Sequence, residues 1–341
     1  MRALTFKQLG PIEAIELSQI PLQRPGKGQV RIKLTSAGLN RADTLFPEGR
    51  YFFKPAFTSA YSQNTTAEAL FCRLGFEGAG IIDEVGEQVD YQVGDRVAIT
   101  PLALDVCQQG CFAEYGIYEA SSLIPTPEAL SDQEAAAIWM QYLTAWGGLV
   151  LDGNLQAGQS VVITAASSSV GIAAIQIGNM LGATTIATTT NVDKVQQLKQ
   201  LGAQYVINMK SDDYVEQIKA ITNDKGTDLV FDAVAGPDIR YLVQGSSRGG
   251  KIIIQGMLDR RPMEIHPGVL MKRLLTITGF TLDKLIENKE QLQKAIDQIT
   301  NGINQQQLTP VIAQMFKLDQ FNEAFALLKS NKHTGKIVIT P

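Results

Sequence analysis

Hydrophobic and polar positions follow two rhythms along the chain, and the first covers residues 1 to about 125. There, apolar runs of strand length are separated by glycine and proline, which is typical of a compact, mostly antiparallel or barrel-like β domain. The pattern therefore predicts an N-terminal β domain. Its strand-like runs include QVRIKLTSAG (29–38), GAGIIDEVG (78–86), VGDRVAI (93–99) and FAEYGIY (112–118).

From Ser160 the rhythm changes to strand-like runs that alternate with helical segments. Regular alternation of this kind predicts a parallel, doubly wound sheet. After about residue 280 the pattern is helical, and the chain then ends in KIVIT, a strand expected to join the β domain. The predicted strands of the parallel sheet are SVVITA, TTIATTT, YVIN, DLVFDAV, KIIIQG and LLTITGF, and its helices include VGIAAIQIGNMLGA, VDKVQQLKQLGA and DYVEQIKAIT.

Length and composition narrow the class of protein. At 341 residues the chain is long for one core, so two domains are expected. The linker is PTPEALSDQEAAA (125–137), in which Ser131 or Asp132 can cap the next helix.

The net charge of −4 argues against a nucleic-acid partner. Cys72, Cys107 and Cys111 are too few for a disulfide framework and are interpreted as free thiols in a reducing compartment.

One long stretch without charge could be mistaken for a membrane segment. No charged residue occurs between Asp152 and Asp193, but glycines and serine and threonine runs interrupt the apolar pattern. Turns exposed to lipid are not tolerated, so a buried strand–turn–helix–strand is expected instead. The N-terminus is charged and has no apolar core of signal-peptide length. We therefore expect a cytoplasmic protein that has no membrane partner.

The stretch SVVITAASSSVGIAAIQIGNMLGA (160–183) predicts a strand, a tight turn and a helix. Dinucleotide-binding turns carry glycines spaced G-x-G-x-x-G, and the matching positions here are Ala166, Ser168 and Gly171. Ala166 is small enough if its φ is negative, the Ser168 hydroxyl can donate to a phosphate, and Gly171 keeps the close packing of helix and strand. The helix N-terminus also attracts an anion. Taken alone, the pattern fits an ordinary serine-capped turn equally well.

The end of the second strand bears on the choice of cofactor. NAD-binding folds place an acidic residue about 20 positions after the turn, to bind the ribose hydroxyls. Here the strand ends in Thr190 and Asn191 without an acid, and Lys194 follows in the first turn of the next helix. A lysine with nearby hydroxyl and amide donors suits a 2′-phosphate, which favours NADP over NAD. The alternative is that Lys194 is a solvated helix lysine.

Six short motifs are spread over nearly the whole chain. They are GFEGAG (75–80), VGDRV (93–97), GCFAEY (110–115), QYLTAW (141–146), AASSSVG (165–171) and HTGKIVI (333–339). Together they resemble the medium-chain dehydrogenase/reductase superfamily, and within it the sequence is most similar to the zinc-free quinone oxidoreductases, the zeta-crystallin group. The resemblance implies an α/β fold, with a GroES-like β-barrel catalytic domain at 1–128 and 281–341 and a Rossmann dinucleotide-binding domain at 129–280.

The same resemblance argues against a metal. In the zinc alcohol dehydrogenases of the superfamily, a histidine ligand stands where this chain has Phe76, and a cysteine ligand stands where it has Asn40. Cys107 and Cys111 alone cannot fill a structural zinc site. The two histidines of the chain, His266 and His333, are interpreted as surface or structural residues.

The activity that the resemblance implies is NADPH-dependent reduction of quinones or conjugated carbonyls. Departures from the family occur at Met209, at Gly147 and in the segment 56–74, which is longer than usual and is expected beside the substrate cleft. Carried over by position, Ser167, Ser168, Ser169, Val170 and Gly171 would face the pyrophosphate, Thr190, Asn191 and Lys194 the 2′-phosphate, and Asn40, Thr144, Gln255, Gly256, Met257, Phe280, Thr281 and Leu282 the nicotinamide.

No general acid is obligatory for this reaction, because a reduced quinone can take its proton from water. If a side chain helps, the candidate is Tyr51, since a phenol can donate to an enolate, with Asn40 and Asp43 in support. Tyr51 is otherwise a half-buried aromatic residue at the cleft rim, Asn40 a turn residue and Asp43 a helix cap.

Two other functions remain open on the sequence. One is an NADPH-dependent reductase of 2-enoyl thioesters or 2-alkenals, in which a tyrosine at the position of Tyr51 is the proposed proton donor. A basic patch for a CoA phosphate would favour it, and the candidates are Arg41, Arg50, Lys54 and Arg73. The other is an NADPH-binding redox sensor with little turnover.

The partner expected besides a small electron acceptor is a second copy of the chain. LLTITGF (274–280) would be the last strand of the nucleotide-binding sheet, with its edge exposed unless it is paired. In this superfamily that edge commonly pairs with its symmetry mate, which implies a homodimer.

Overall fold

The computed structural model describes residues 1–57, 70–102, 104–210 and 213–341. The chain forms two compact units, Met1–Met140 with Pro310–Pro341, and Gln141–Thr309. The strands in chain order are β1 (Arg2–Phe6), β2 (Glu16–Gln19), β3 (Gln29–Leu39), β4 (Cys72–Arg73), β5 (Gly78–Val85), β6 (Arg96–Ile99), β7 (Tyr115–Glu119), β8 (Leu123–Pro125), β9 (Ser160–Ile163), β10 (Thr184–Thr189), β11 (Tyr205–Asn208), β12 (Thr227–Asp232), β13 (Ser246–Ile254), β14 (Thr276–Gly279), β15 (Ile312–Lys317) and β16 (Lys336–Thr340). The α-helices are α1 (Arg41–Leu45), α2 (Val106–Gln109), α3 (Asp132–Ala135), α4 (Trp139–Trp146), α5 (Ser169–Met180), α6 (Lys194–Gln200), α7 (Tyr214–Thr222), α8 (Ile239–Gly245), α9 (Pro267–Arg273), α10 (Leu282–Glu287), α11 (Lys289–Asn304) and α12 (Phe321–Ser330).

The first unit is a β structure, as predicted. A seven-stranded sheet runs in the order β15-β16-β3-β5-β6-β8, with β7 also paired to β3, and a smaller sheet has the order β2-β1-β4. Along β3, Val30, Ile32 and Leu34 are buried, whereas the alternate positions are more exposed, as a half-buried strand requires. The terminal strand joins this unit through antiparallel pairing of Ile337 with Leu39, which confirms the prediction for KIVIT.

The second unit is a parallel sheet in the order β11-β10-β9-β12-β13-β14. Numbered from β9, this order is 3-2-1-4-5-6, the order of dinucleotide-binding Rossmann domains. Its centre is apolar on both faces, and Val161, Val162 and Ile163 of β9 are fully buried. The doubly wound sheet expected from the alternating pattern is therefore confirmed.

The stretch without charge between Asp152 and Asp193 folds as β9, α5 and β10, as predicted. Most apolar side chains of these three elements are buried within the second unit because strand and helix pack on each other. In the part of the chain that the structure describes, no helix is both long and apolar enough to cross a membrane.

The cysteine prediction is wrong for two of the three residues. Cys72 of β4 and Cys107 of α2 form a disulfide, and Cys111 is a buried free thiol. The bonded cysteines are 35 positions apart, and only the packing of α2 on β4 brings them together. Their pairing was therefore not evident from the spacing, and it removes the cysteine argument for a reducing compartment.

Candidate functional site

The predicted cofactor residues of the second unit gather at one edge of its sheet. All of its strands are parallel, so the residues that follow their carboxyl ends lie along the same edge. The turn AASSSVG follows β9, and Thr190 follows β10 directly. Gln255 follows β13, and Phe280 follows β14. Ligands of doubly wound folds bind at this edge.

The turn after β9 has the shape of an anion site. Ser168 is the N-cap of α5, and its Oγ accepts a hydrogen bond from the Gly171 amide at 3.0 Å. Since the Ser168 oxygen is the acceptor, its hydroxyl hydrogen stays available to a ligand. A Cβ at Gly171 would lie 2.7 Å from the Ala166 carbonyl oxygen. The left-handed residue of the turn is Ala165, with a φ of 45°, rather than Ala166.

Lys194 joins the ends of β9 and β10. Its Nζ donates to the Ser167 hydroxyl at 2.9 Å. The side chain is 7% exposed, so Lys194 is not the solvated helix lysine of the alternative interpretation. Burial lowers its pKa. Thr190 and Asn191 precede Lys194 and are exposed. The Asn191 Oδ1 accepts a hydrogen bond from the backbone N–H of Asp193, the residue just before α6.

The residues expected at the nicotinamide end differ in exposure. Gln255 and Gly256 are half-buried after β13, whereas Met257 is exposed. Phe280 is buried, and a Cβ at Gly147 would overlap its ring, so the small residue at 147 is matched by this ring. Thr281 is the N-cap of α10, which begins at Leu282, and Thr144 lies on α4.

Sequence reasoning missed Asp232, which ends β12 beside β9. Its buried carboxylate accepts from the Thr164 hydroxyl at 2.6 Å and from the amide of Ala235 at 2.9 Å. The Thr164 Oγ1 in turn accepts from the Ala233 amide at 2.8 Å. These bonds fix the two loops on either side of the point where strand order reverses. A carboxylate at the end of an apolar strand was the available signal.

In the first unit, Asn40 belongs to a buried polar cluster with two residues that the sequence did not single out. Its amide oxygen accepts from Lys336 Nζ at 2.6 Å. Its amide nitrogen donates to Glu77 Oε1 and to the Gly38 carbonyl, both at 3.1 Å. Lys336 and Glu77 also form an ion pair, with side chains 1% and 2% exposed. The available signals were the lysine and the glutamate within HTGKIVI and GFEGAG.

Asp43 lies next to this cluster and caps α1 together with Asn40. The Asn40 backbone N–H donates to Asp43 Oδ2 at 2.8 Å. Burial raises the pKa of Asp43 to about 8; the neighbouring Glu77 also raises it, and the Asn40 N–H and Lys336 oppose the shift. The carboxyl therefore carries a proton in most folded molecules at neutral pH.

The variant Asp43→Asn is expected to remove a pH dependence of stability. The unfolded carboxyl ionises near a pKa of about 4, whereas the folded one holds its proton up to about 8. Between these values the folded state binds more protons, so this group makes the wild type less stable as pH rises, by up to ~1.4 kcal/mol per pH unit. Urea unfolding should show the stability of the variant relative to wild type growing from about pH 5 to 8 and then levelling off. A constant difference would contradict the shift.

Tyr51 lies in an aromatic cluster made of Phe46, Tyr51, Phe52, Phe53 and Phe76. The Tyr51 ring is half-buried, with its centroid 5.2 Å from the rings of Phe53 and Phe76. Phe52 is 75% exposed and Phe53 47% exposed. The cluster thus presents apolar ring surface to solvent. Residues 58–69, which are most of the long segment expected beside the substrate cleft, lie outside the described residues.

The two residues that stand at zinc-ligand positions of the superfamily contact other residues here. Phe76 packs in the aromatic cluster, and Asn40 belongs to the polar cluster. His266 caps α9, where its Nδ1 accepts from the Gly268 amide at 3.1 Å. Across the described ranges, no group of three or more His, Cys, Asp or Glu residues is placed to hold a metal ion.

Comparison with known proteins agrees with this architecture. Two family models match: the alcohol dehydrogenase GroES-like domain over residues 26–128, and the zinc-binding dehydrogenase over residues 169–301. The solved structure of Escherichia coli quinone oxidoreductase complexed with NADPH is similar with a TM-score of 0.86 and 25% identity, over 100% of both chains. The predicted combination of a GroES-like domain with a Rossmann domain is therefore confirmed.

Similar sequences occur both as a small part of a much longer protein and as nearly the whole of another protein. One is a phenolphthiocerol/phthiocerol polyketide synthase of Mycobacterium tuberculosis, which is 31% identical over 99% of this chain and 15% of that protein. The other is the quinone oxidoreductase of Lama guanicoe, 30% identical over 342 residues, which cover 99% of this chain and 97% of that protein. The protein is therefore an oxidoreductase that belongs to the quinone oxidoreductase group of the medium-chain dehydrogenase/reductase superfamily.

Proposed function

We propose that the protein reduces quinones and related conjugated carbonyl compounds with NADPH, without a catalytic metal. The observation that carries the proposal is the contact of Lys194 with Ser167, which holds a buried cation beside the anion-binding turn. Similarity to quinone oxidoreductases, including one solved with NADPH, supports both the acceptor class and the cofactor.

The carboxyl edge of the parallel sheet fits NADPH. The first amides of α5 have no acceptor within the helix, and with Ser168 they suit the pyrophosphate. Lys194, with Thr190 and Asn191 beside it, suits the 2′-phosphate. The residues proposed to contact the nicotinamide end from this unit are Thr144, Gln255, Gly256, Met257, Phe280, Thr281 and Leu282.

When bound, NADPH supplies the hydride that the acceptor takes up. The chain contributes orientation and hydrogen bonds, since a reduced quinone takes its remaining proton from water. Tyr51 stays the candidate proton donor where the acceptor is an enone, with Asn40 and Asp43 in support. The exposed rings of Phe52 and Phe53 offer the face and edge contacts that a flat, apolar acceptor prefers.

The assay follows NADPH absorbance with purified protein, with 1,4-benzoquinone and a trans-2-enoyl thioester in parallel and NADH as the cofactor control. Turnover of the quinone with preference for NADPH is expected. Turnover of the thioester alone would replace the proposal with the reductase of enoyl thioesters. Tight NADPH binding without oxidation by either acceptor would favour a redox sensor.

Enoyl thioester or alkenal reduction is the second candidate function, and the polyketide synthase relative favours it. The basic residues argue against a CoA thioester. Arg73 donates to the Gln108, Gly110 and Tyr115 carbonyls, Arg50 pairs with Glu48, and Arg41 donates to Asn331 and to the Leu328 carbonyl. Three of the four candidates are thus engaged by their own chain, and Lys54 is the remaining exposed cation of this set.

We further propose that the protein acts as a homodimer paired through β14. This strand ends the order of the parallel sheet, so its outer edge pairs with no other strand among the residues that the structure describes. Exposed apolar side chains lie near β14 in sequence, at Met271 and Leu274.

The cytoplasmic location expected from the sequence remains a prediction.

A charge on this edge is expected to separate the dimer. Thr276→Asp or Thr278→Asp would put like charges close together across a two-fold strand pair, which is destabilising. Size-exclusion chromatography with light scattering should give a dimer for the wild type and a monomer for the variants. A wild-type protein that already runs as a monomer would contradict the proposal.

A further inference from the structure

Three polar residues meet at one end of the seven-stranded sheet because of the way in which its strands pair. Asn40 follows β3 directly, Glu77 immediately precedes β5, and Lys336 is the first residue of β16. β3 runs antiparallel to β5 and to β16, with Ala37 opposite Gly78 and Leu39 opposite Ile337. The end of β3 therefore lies beside the beginnings of β5 and β16.

The neighbours of the Asn40 side chain allow only one orientation of its amide. Lys336 has donors only, whereas the Glu77 carboxylate and the Gly38 carbonyl are acceptors. The amide oxygen must therefore face Lys336, and the amide nitrogen must face Glu77 and Gly38, as the distances of 2.6, 3.1 and 3.1 Å show. A flipped amide would turn all three contacts into repulsions. Both N–H groups of the Asn40 amide are then used within the chain, and its oxygen keeps one acceptor site.

We propose that Glu77 and Lys336 are positioning residues that hold the Asn40 amide so that it offers a bound ligand only an acceptor. This inference rests on the proposed function, in which Asn40 is one of the residues that support the reaction. The ligand group at Asn40 is therefore an O–H or N–H donor, such as a hydroxyl or a carboxamide group. Asn40 does not donate to the quinone oxygen that gains charge.

The burial of the ion pair supports a role in orientation. A buried ion pair gains little net stability over apolar residues, because desolvation offsets its attraction. The sequence nevertheless makes room for it: a Cβ at Gly38 would lie 2.6 Å from Lys336 Cε and 2.8 Å from Glu77 Oε1. Glu77 is also fixed from its other oxygen, which accepts from the Met140 amide at 3.1 Å. The pair is thus built into the strand ends around Asn40.

The test is a rescue experiment in the quinone assay. In Asn40→Asp, one carboxylate oxygen still accepts from Lys336, but the other faces the acceptors of Glu77 and Gly38. We expect kcat/KM to fall by at least about tenfold. In Asn40→Asp with Glu77→Gln, the glutamine oxygen still accepts from the Met140 amide and its nitrogen donates to the new carboxylate. Lys336 is then left to pair with that carboxylate alone, so the cluster again has one charge of each sign. We expect at least about half of the lost factor, on a logarithmic scale, to return.

The rescue shows whether the side chain at position 40 acts as a hydrogen-bond acceptor or as a donor, because an ionised carboxylate cannot donate. No recovery in the double variant would overturn the proposal, and so would a normal kcat/KM in Lys336→Met or in Glu77→Gln. A normal kcat/KM in Asn40→Ala would also overturn the proposal, because it would show that the Asn40 amide does not contact a bound ligand. The proposed function would survive that result, because quinone turnover by the wild type is measured separately. The control is Arg31→Met, which breaks two other ion pairs of the same unit, with Asp83 and with Glu84, and should lower Tm but leave kcat/KM within about twofold.

Discussion

Replacing Gly171 with alanine is expected to weaken NADPH binding by about 30- to 150-fold. The added Cβ would lie 2.7 Å from both Cα and O of Ala166 and 2.8 Å from the carbonyl oxygen of Ala165. All three are backbone atoms, so either the turn or α5 has to move. Overpacking of this kind costs about 2–3 kcal/mol, which corresponds to that loss of affinity. We expect binding to suffer directly because the displaced backbone belongs to the turn that is proposed to bind the pyrophosphate.

Fluorescence titration with NADPH measures the effect, and Gly178→Ala is the matched control. Gly178 lies in the same helix two turns later, and its added Cβ would meet a side-chain methyl of Thr185 at 2.7 Å rather than the turn. The control is expected to lower Tm while keeping the affinity for NADPH. An equal loss of affinity in both variants would mean that general destabilisation of the unit, and not the turn, explains the result for Gly171.

Most of the second unit could be predicted because its signals are local. The central strand β9 is a short apolar run, and α5 and α7 each begin at a residue whose side chain caps the helix. The position of the cofactor edge then follows from the parallel arrangement, since every strand ends on the same side. Thr190, Gln255 and Phe280, which the resemblance implied as cofactor residues, follow the ends of these strands.

The features that the sequence missed depend on contacts between distant residues. Glu77 and Lys336 reach Asn40 only because β3 pairs with both β5 and β16, and no local pattern shows that pairing. The disulfide of Cys72 likewise depends on the packing of α2 on β4. The turn was predicted by its motif, but which alanine takes the left-handed conformation is a matter of backbone geometry.

Replacing Lys194 with methionine is expected to change the cofactor preference. Methionine keeps most of the length and removes the charge, so the 2′-phosphate would lose a charge-assisted hydrogen bond worth about 1.5–3 kcal/mol. This loss predicts an increase of about 10- to 150-fold in KM for NADPH. NADH carries no 2′-phosphate, so its kinetic constants should change little. Steady-state kinetics with both cofactors at a fixed quinone concentration measures the ratio.

The stability of the same variant provides an independent check. Burial lowers the pKa of Lys194, which means that the folded protein disfavours its charged form, so an apolar replacement should not lower Tm. The control is Lys199→Met, an exposed lysine in the last turn of the same helix, which should alter neither KM nor Tm. If Lys194→Met raised KM for NADPH and NADH equally, the lysine would act on the shared part of the two cofactors, and its assignment to the 2′-phosphate would be wrong.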